Sequence, residues 1–512
     1  MDVCTSEGFI SSILVHPLEC SPEWTKAAQQ EYDALKHNQT WELVSLPPNR
    51  RAVGCKWVFR IKKHADGSVA RYKGRLVVKG YLQEARIDFY ETFSPVVKPT
   101  TIRVVLSLAV QFGWSLRQVD INNAFLNGDL NEEIYMLQPP GFEQHNNGQP
   151  LVCKLKKALY GLKQAPRAWF QKLKDYLVAS GFILSKVDAF LFIKQNGDIL
   201  LYVLVYVDDI IITGNHQSTI DAFVESLESR FSLKDLGKLS YFLGIEVTHT
   251  ASGLFLNQQK YIRDLLQHSR MEQSKGTPTP MVSSCLLFAH TGSPIANESE
   301  YRSIVGALQY IVITRPDIAF AVNKVCQFMH TPLDSHFKAI KRILRYLQAT
   351  IDHGVHFTAA SHLSIVGYSD ASWGNDPDDR QSTSGFCIFL GGNPVSWGSK
   401  KQHVVSRSSA EAEYRSLAHA AAEVTWLESL LGELQVQLAG KTTLWCDNSS
   451  TVAVSANPIL HSKFKHVELD LFFVREKVTT GRLVVGHVLA QDQVADVLTK
   501  PFSAGCFTKF KT

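Results

Sequence analysis

The stretch from Ile199 to Thr213 constrains the fold more than any other part of this chain. It reads ILLYVLVYVDDIIIT, so nine apolar residues precede the adjacent acids Asp208 and Asp209, and three isoleucines follow them. Apolar runs rich in β-branched and aromatic residues are typical of buried strands. A membrane span would need ~20 apolar residues without acids at its centre. We therefore predict a buried hairpin whose turn carries two carboxylates.

Two adjacent carboxylates between core strands have two interpretations. Burying them is costly unless a cation neutralises them, which favours a divalent metal site at the turn. The alternative is an ordinary aspartate-rich hairpin turn that faces solvent. This stretch by itself leaves both interpretations open, so the rest of the chain has to separate them.

Composition and charge indicate a globular protein with one basic region. The 512 residues are 45% hydrophobic and 20% charged, which suits about two to four domains with cores of their own. The net charge is only +5, but between Arg50 and Lys79 ten Lys or Arg residues accompany one acid, Asp66. The nine cysteines form no C-x-x-C pair, which argues against a disulfide framework or a zinc site. The N-terminus lacks the pattern of a secretory signal, so we expect an intracellular protein.

The basic region has the pattern of a β-hairpin. It reads CKWVFRIKK, then a turn at Asp66-Gly67, then VARYKGRLVVKGY. The aromatic residues Trp57, Phe59 and Tyr72 lie between the basic ones, and this combination suits contact with phosphates and bases. A solvated charged hairpin is the alternative interpretation.

A third acid extends the pattern at the Ile199–Thr213 hairpin. Asp120 lies at the end of a predicted short strand, before a turn at Asn127-Gly128, and alone it would be unremarkable. Asp120 from the short strand and the adjacent Asp208 and Asp209 from the hairpin together make a set of three acids. Nucleotidyl transfer needs such a set, because acids from separate strands hold the two metal ions that activate a primer 3′-OH and stabilise the developing charge.

Long sequence blocks carry a resemblance to a known family. From about Trp41 onwards they read NQTWELVSLP, CKWVFRIKKHADGSVARYKGRLVVKGY, ETFSPVVKPTTIR, LYGLKQAPRAWF and DLGKLSYFLGIEV. Nearer the C-terminus they read GYSDASWGNDPDDRQSTSGF, SWGSKKQHVVSRSSAEAEY, LWCDNSS and HVLAQDQVADVLTKP. With these blocks the chain resembles the reverse transcriptase and RNase H region of Ty1/copia-type retrotransposon Pol polyproteins, as found in plants. The resemblance implies an RNA-directed DNA polymerase coupled to RNase H.

The resemblance implies roles for individual residues in polymerisation. Asp120, Asp208 and Asp209 would bind Mg²⁺, with Mn²⁺ as an alternative, and Phe125 would be the steric gate that excludes a ribose 2′-OH. The other implied substrate contacts are Lys63 and Arg75 to the triphosphate, Gln164 to the incoming nucleotide, and Tyr206. Tyr241 to Gly244 would form a primer-gripping turn and Lys234 would donate a proton, with a purely structural role as the alternative for each of these.

The C-terminal blocks imply a second catalytic site. RNase H chemistry uses four acids around two Mg²⁺ ions to activate water against an RNA phosphodiester. The matching acids are Asp370, Glu413, Asp447 and Asp496. Two acids at strand ends and two on helices can converge on one edge of a sheet. His487 would assist product release or proton transfer.

The implied fold class is a multidomain α+β and α/β protein, a right-hand polymerase of fingers, palm and thumb followed by an RNase H-like domain. We predict four regions, namely an N-terminal segment at 1–40, fingers and palm at 41–283, thumb and connection helices at 284–362, and the RNase H-like domain at 363–512. The expected partners are an RNA template, a DNA primer or RNA–DNA hybrid, and dNTPs, without a membrane. Capsid, protease and integrase are expected from elsewhere in the element. The expected location is cytoplasmic, in virus-like particles, and also nuclear.

Two rival interpretations follow from the same residues. The first is a decayed or host-retained fragment that binds nucleic acid without catalysis. All seven acids are present, which argues against long decay. The second is an RNase H that works beside an inactive polymerase, against which the intact YVDD sequence and Asp120 argue.

Overall fold

The computed structural model describes residues 21–63, 68–94, 97–146, 149–283, 286–457 and 465–508. The predicted turn at Asp66-Gly67 lies outside these ranges. The chain divides into two compact units, the first within residues 1–97 and 116–238, the second within residues 98–115 and 239–512. The predicted domain boundaries after residues 40, 283 and 362 stay predictions.

The helices and strands of the described residues are numbered in chain order. The α-helices are α1 (Pro22–His37), α2 (Pro99–Phe112), α3 (Ala165–Ala179), α4 (Gln217–Arg230), α5 (Gln259–His268), α6 (Glu298–Ile311), α7 (Ala319–Cys326), α8 (Asp334–Ala349), α9 (Ser409–Glu433), α10 (Ser449–Ala456), α11 (Glu468–Thr479) and α12 (Ala504–Thr508). The strands are β1 (Trp41–Val44), β2 (Cys55–Lys63), β3 (Val69–Val78), β4 (Ser115–Ile121), β5 (Tyr135–Leu137), β6 (His145–Asn146), β7 (Gln149–Pro150), β8 (Val152–Leu155), β9 (Ile183–Leu184), β10 (Leu191–Asn196), β11 (Ile199–Tyr206), β12 (Asp209–Gly214), β13 (Leu233–Lys238), β14 (Tyr241–Phe242), β15 (Ile245–Thr250), β16 (Gly253–Asn257), β17 (Val355–Thr358), β18 (Ile365–Ser372), β19 (Thr383–Leu390), β20 (Asn393–Lys401), β21 (Thr442–Cys446) and β22 (Leu483–His487).

The first unit is built around a six-stranded sheet with the order β13-β4-β12-β11-β10-β9. The predicted hairpin is confirmed, since β11 and β12 pair antiparallel and Tyr206 lies opposite Asp209. Its apolar residues form the core, because Leu201 to Val205 and Ile210 to Ile212 are at most 2% exposed. The strand order places β12 between β11 and β4, so the acid-bearing ends of two strands become neighbours in the sheet.

Helix α1 packs closely on the basic hairpin of β2 and β3. The edge of Trp24 meets Tyr72 at 4.5 Å between ring centroids. Gly74 lies under the helix, where an added Cβ would be 3.3 Å from the backbone of Ala27. The absence of a side chain at Gly74 therefore lets the helix approach the strand.

The second unit contains a five-stranded sheet with the order β20-β19-β18-β21-β22. The segments LSIVGYSD, SGFCIFLGG and NPVSWGS predict three antiparallel strands, and β18, β19 and β20 confirm this. The strands β21 and β22 run parallel to β18. A second sheet has the order β14-β15-β16-β17. With the two sheets of this unit and the six-stranded sheet of the first, the predicted multidomain α+β and α/β fold class is confirmed.

Two helical features of the second unit differ from the sequence prediction. The pattern Ser408-x-x-Glu411 predicts a capping box at the start of α9, and this box is half formed. Ser408 Oγ accepts from the Glu411 N–H, but Glu411 Oε2 accepts from the N–H of Arg407 rather than from that of Ser408. The segment QVADVLT predicts a last α-helix, but it forms a 3-10 helix at Val494–Leu498. It is tightened by the Gln493 side chain, which accepts from the Ala495 N–H.

Helix α2 belongs to the second unit although it precedes β4 directly in the chain. The apolar segment TTIRVVLSLAVQF predicts a buried helix, and the burial of all nine residues from Thr101 to Ala109 confirms it. The guanidinium of Arg103 lies 3.6 Å from the ring centroid of Trp397 and donates to the Ile313 carbonyl oxygen at 3.0 Å. Burial lowers the pKa of Arg103 to about 9.

No described helix is both long enough and apolar enough to cross a membrane. The six cysteines in the described ranges are free thiols.

A buried ion pair joins the helices of the second unit. Arg315, 1% exposed, donates to both carboxylate oxygens of Asp317 at 2.9 and 2.7 Å, and Tyr346 Oη donates to Asp317 at 2.5 Å. Burial alone would raise the pKa of Asp317, but Arg315 and Tyr346 hold it below its ordinary value. The group is therefore a charged carboxylate at neutral pH.

We expect Asp317→Asn to lower the free energy of unfolding by about 3 kcal/mol, because it leaves the buried Arg315 charge unpaired. Urea unfolding of the full chain measures this, with Lys338→Gln in an exposed helical pair as the control, for which we expect a change within ~0.5 kcal/mol. The folded state lowers the pKa of Asp317, so its contribution is complete above the unfolded pKa and is lost as the pH falls through the folded value. The difference between wild type and D317N should therefore narrow below about pH 4. An equal effect of the two substitutions at neutral pH would contradict the prediction.

Candidate functional site

The hairpin acids, Asp120, Asp208 and Asp209, lie on neighbouring strands of the first unit. Asp120 is the penultimate residue of β4, and the other two lie in and after the turn between β11 and β12. The Ile121 N–H donates to the Asp208 carbonyl oxygen at 2.9 Å. This backbone hydrogen bond places Asp120 beside the YVDD turn. All three acids are half-buried.

The side chains of the hairpin acids are less tightly grouped than their backbones. Asp209 Oδ1 accepts from Gln118 Nε2 at 3.2 Å, on the same strand as Asp120. Among the described residues, three ligand atoms within 4.8 Å of one another occur in the second unit but not at the hairpin acids. Carboxylate oxygens are nevertheless the donors that Mg²⁺ prefers.

An aromatic and cationic cluster follows the strand of Asp120. Phe125, in a 3-10 helix at Ala124–Asn127, lies 4.7 Å from Tyr160 between ring centroids at 60°. The guanidinium of Arg75 lies 4.6 Å from the centroid of the same Tyr160 ring. Two predicted substrate contacts are thus brought together by a tyrosine that sequence reasoning missed. Its position in the LYGLKQAPRAWF block was the available signal.

The predicted nucleotide contact Gln164 is buried and fully engaged within the protein. It is 3% exposed; its Oε1 accepts from Gln83 and its Nε2 donates to the Asp88 carbonyl oxygen. Its amide would have to exchange these partners to reach a nucleotide. The side chain of Lys63 lies outside the described residues. These two roles stay predictions.

The other residues predicted to act in polymerisation lie in both units. Lys234 on β13 lies directly opposite Asp120 in the sheet register, and Tyr206 ends β11, half-buried beside the acids. In the second unit, Leu243 and Gly244 have positive φ angles of 50° and 70°, and the Leu243 carbonyl oxygen accepts from Tyr310 Oη. The segment from Tyr241 to Gly244 is therefore a tight, anchored turn.

The sheet-edge acids, Asp370, Glu413, Asp447 and Asp496, converge in the second unit. Asp370 lies near the end of β18, Glu413 on α9, Asp447 directly after β21, and Asp496 in the 3-10 helix at Val494–Leu498. Ligand atoms of Asp370, Asp447 and Asp496 lie within 4.8 Å of one another, as do those of Glu413, Cys446 and Asp447. Because β18 and β21 are parallel neighbours, their carboxyl ends meet at the same edge.

Burial and mutual repulsion dominate the electrostatics of the sheet-edge acids. Burial, then the charges of Asp370 and Asp447, raise the pKa of Glu413 to about 9. Burial and the charge of Asp370 likewise raise the pKa of Asp496 to about 7, and they also raise the pKa of Asp447. Several carboxylates buried this close together favour a bound cation.

Several neighbours of the sheet-edge acids were not predicted from the sequence. Thr499 Oγ1 donates to Asp370 Oδ2, and Lys500 Nζ lies 2.7 Å from Asp496 Oδ1. Cys446 Sγ lies 3.8 Å from Glu413 Oε2. Thr499 and Lys500 follow Asp496 by three and four residues, and this spacing was the sequence signal that could have placed them near the acids. The predicted His487 is exposed and its Nε2 lies 3.1 Å from the Asp447 carbonyl oxygen.

The sheet-edge acids fit a hard divalent cation such as Mg²⁺. Their donors are carboxylate oxygens. Asp447 Oδ1 is buried and has no hydrogen-bond partner among the described residues. A buried carboxylate oxygen without a partner is costly, and a metal ion would satisfy it.

Comparison with known proteins places the chain among transposon proteins. The family model described as reverse transcriptase (RNA-dependent DNA polymerase) matches residues 38–283. The Retrovirus-related Pol polyprotein from transposon RE1 of Arabidopsis thaliana is 49% identical over 488 residues, which is 95% of this chain and 33% of that protein. The corresponding polyprotein from transposon TNT 1-94 of Nicotiana tabacum is 38% identical, over 96% of this chain and 37% of that protein. A transposon Ty5-1 protein of Saccharomyces cerevisiae is 35% identical, over 60% of this chain and 100% of that protein. The chain thus spans about a third of the length of the two plant relatives.

We expect Asp447→Asn to raise the free energy of unfolding by about 1 kcal/mol in the presence of EDTA, because it removes a charge that its neighbours repel. Mg²⁺ should stabilise the wild type and stabilise D447N much less, since one ligand is weakened. Urea unfolding with EDTA or with Mg²⁺ measures both effects. Asp492→Asn, at an exposed position of the same unit, is the control, and we expect it to leave both values unchanged. Destabilisation of D447N in EDTA would contradict the prediction.

Proposed function

Because this chain belongs to the Ty1/copia-type retrotransposon Pol family of plants, we propose that it copies a primed RNA template into DNA and cleaves the RNA strand of the resulting hybrid. The observation that carries the proposal is the presence of two separate acid sets, one on a sheet of each compact unit. Separate sets suit two separate phosphodiester chemistries. The match to the reverse transcriptase family over residues 38–283 supports the first of them.

The hairpin acids would serve the polymerase reaction. Bound there, Mg²⁺ would supply Lewis-acid activation of the primer 3′-OH and charge stabilisation at the transferred phosphoryl group. Asp120 and Asp208 would hold the ions from opposite sides of the junction between β4 and the YVDD turn. Asp209, which accepts from Gln118, would be oriented by that amide.

Nucleotide selection would fall to the cluster of Arg75, Phe125 and Tyr160. The guanidinium of Arg75 would neutralise the triphosphate, and the Lys63 ammonium would assist it. The ring of Phe125 is held against Tyr160, so it could not turn aside for a ribose 2′-OH. The expected substrates are therefore dNTPs.

The sheet-edge acids would serve hydrolysis of the RNA strand. Burial and the charges of neighbouring acids raise the pKa values of Glu413, Asp447 and Asp496, and bound metal ions would relieve the repulsion. Bound there, Mg²⁺ would supply an activated water for attack on the phosphodiester. The exposed His487, near the Asp447 backbone, would move a proton or assist product release.

The proposed partners are a template, an annealed primer and the growing hybrid. Capsid, protease and integrase would come from elsewhere in the element. We propose the cytoplasm, in virus-like particles, as the main location, with the nucleus as a second one.

We expect Asp120→Asn to reduce dNTP incorporation on a primed RNA template at least about a thousandfold while hybrid cleavage continues. Asp370→Asn should do the reverse, because it removes a ligand from the other acid set. Both activities are measured on the purified full chain with Mg²⁺. Equal loss of both activities in either variant would refute the division into two sites.

The wild-type assay also separates the proposal from the rival of a decayed fragment. Incorporation that disappears in Asp208→Asn supports a polymerase with its metal at the hairpin. Absent incorporation, with tight and salt-dependent hybrid binding, would favour a protein that binds nucleic acid without catalysis.

We expect Phe125→Val to relax discrimination against ribonucleotides by at least about tenfold, because the smaller side chain leaves room for the 2′-OH. The ratio of kcat/KM for dCTP to that for CTP measures this. Phe142→Val is the control, since Phe142 stacks on Tyr32 at 4.3 Å within the same unit. An unchanged ratio in F125V would rule out a steric gate at this position.

A further inference from the structure

Val207, directly before the paired acids, has a backbone conformation that β-branched residues rarely adopt. Its φ angle is 55°. It lies in the two-residue turn between the paired residues Tyr206 and Asp209. Such a conformation costs on the order of 1–3 kcal/mol and persists only where neighbouring groups hold it. Relaxation of Val207 would redirect the acids that follow it.

The indole of Trp169 holds this strained residue. Its Nε1 donates to the Val207 carbonyl oxygen at 2.6 Å. An indole has one hydrogen-bond donor, and here that donor is used on the turn. The side chain is 1% exposed, and the edge of Phe231 meets its ring at 5.3 Å and 87°. Packing therefore keeps the donor in place.

The first turn of α3, which carries Trp169, is itself fixed against the segment that follows Asp120. Gly128 lies so close to α3 that an added Cβ would be 2.8 Å from the Trp169 nitrogen and 2.9 Å from the Ala168 carbonyl carbon. The Gly128 carbonyl oxygen accepts from the Ala158 N–H at 3.0 Å. The indole thus joins the segment after Asp120 to the turn before Asp208.

Two consecutive carbonyl groups of the turn accept hydrogen bonds from two different donors. The Asp208 carbonyl accepts from the backbone of Ile121, and the Val207 carbonyl accepts from the Trp169 side chain. The first bond belongs to the sheet and survives side-chain substitution. The second depends on one nitrogen atom, so it can be removed alone.

We propose that Trp169 is a positioning residue of the polymerase site, which holds Val207 in its strained conformation and thereby sets the geometry in which Asp208 and Asp209 receive metal. This inference rests on the proposed function of the hairpin acids. Phenylalanine would fill most of the same space but would lack the donor. Loss of the hydrogen bond should therefore affect metal use at the turn more than it affects folding.

The test compares Trp169→Phe with Phe231→Leu in the full chain. We expect W169F to raise the Mg²⁺ concentration for half-maximal dNTP incorporation by about tenfold, from one lost hydrogen bond and the released strain. F231L removes the packing contact but keeps the indole nitrogen, so its Mg²⁺ requirement should stay within about twofold of wild type. Hybrid cleavage by the same chains should be unchanged in both variants.

A second substitution separates positioning from general damage. Val207→Gly removes the strain, because glycine adopts positive φ at little cost. In the V207G background, W169F should change the Mg²⁺ requirement much less than it does in the wild type. An equal effect of W169F in both backgrounds would overturn the proposal, because the indole would then not act through Val207.

A readout without turnover distinguishes failure of the inference from failure of the proposed function. Fe²⁺ bound in place of Mg²⁺ reduces added hydrogen peroxide to hydroxide and a hydroxyl radical, which cuts the backbone near the ion, and added ascorbate returns the resulting Fe³⁺ to Fe²⁺. We expect wild-type cuts near Asp208 that weaken about tenfold in W169F, while cuts near Asp370 persist. Equal cuts near Asp208 in wild type and W169F would overturn the inference alone. No wild-type cut near Asp208 would overturn the metal site of the proposed function and this inference with it.

Discussion

Desolvation of carboxylate groups is the physical constraint on which both candidate sites depend. Asp370, Glu413 and Asp496 are 4–6% exposed, and Lys500 is the cation that the structure places against them. Acids in such surroundings repel one another and favour protonation unless metal ions neutralise them. Keeping these acids together lowers the stability of the fold. Such a loss of stability is typical of functional sites rather than of groups with a purely structural role.

The two acid sets meet this constraint differently. In the second unit the side chains converge, and burial together with the charge of Asp370 raises the pKa values of Glu413 and Asp496. In the first unit the acids are half-buried, and the structure holds their backbones instead. The sheet bond from Ile121 and the indole bond from Trp169 act on consecutive carbonyl groups. Rigid support of this kind places carboxylates without requiring that they be desolvated in advance.

Two segments that are neighbours in the chain belong to different compact units. Helix α2 ends three residues before β4, yet it is buried in the second unit through Arg103 and Trp397. The stack of a guanidinium on an indole is among the stronger contacts an arginine makes when desolvated. A boundary drawn from sequence blocks alone would have left this helix with the strand that follows it.

Most of the secondary structure and the order of the acids along the chain follow from sequence patterns alone. The apolar run of Ile199 to Thr213 indicates a buried hairpin, because a run rich in β-branched and aromatic residues that is interrupted by two acids fits two core strands joined by a turn. The helical spacing of Trp169, Leu173 and Leu177 likewise indicates the buried face of α3. Which side chains meet across long separations in the chain depends on the packed fold. Trp169 and Val207 are 38 positions apart, and Thr499 and Asp370 are 129 apart. The burial of Gln164 and the contacts of Tyr160 with Phe125 and Arg75 could not be predicted from the sequence either. Periodicity indicates which face of a helix or strand is apolar, whereas a contact depends on distances that only the packed fold sets.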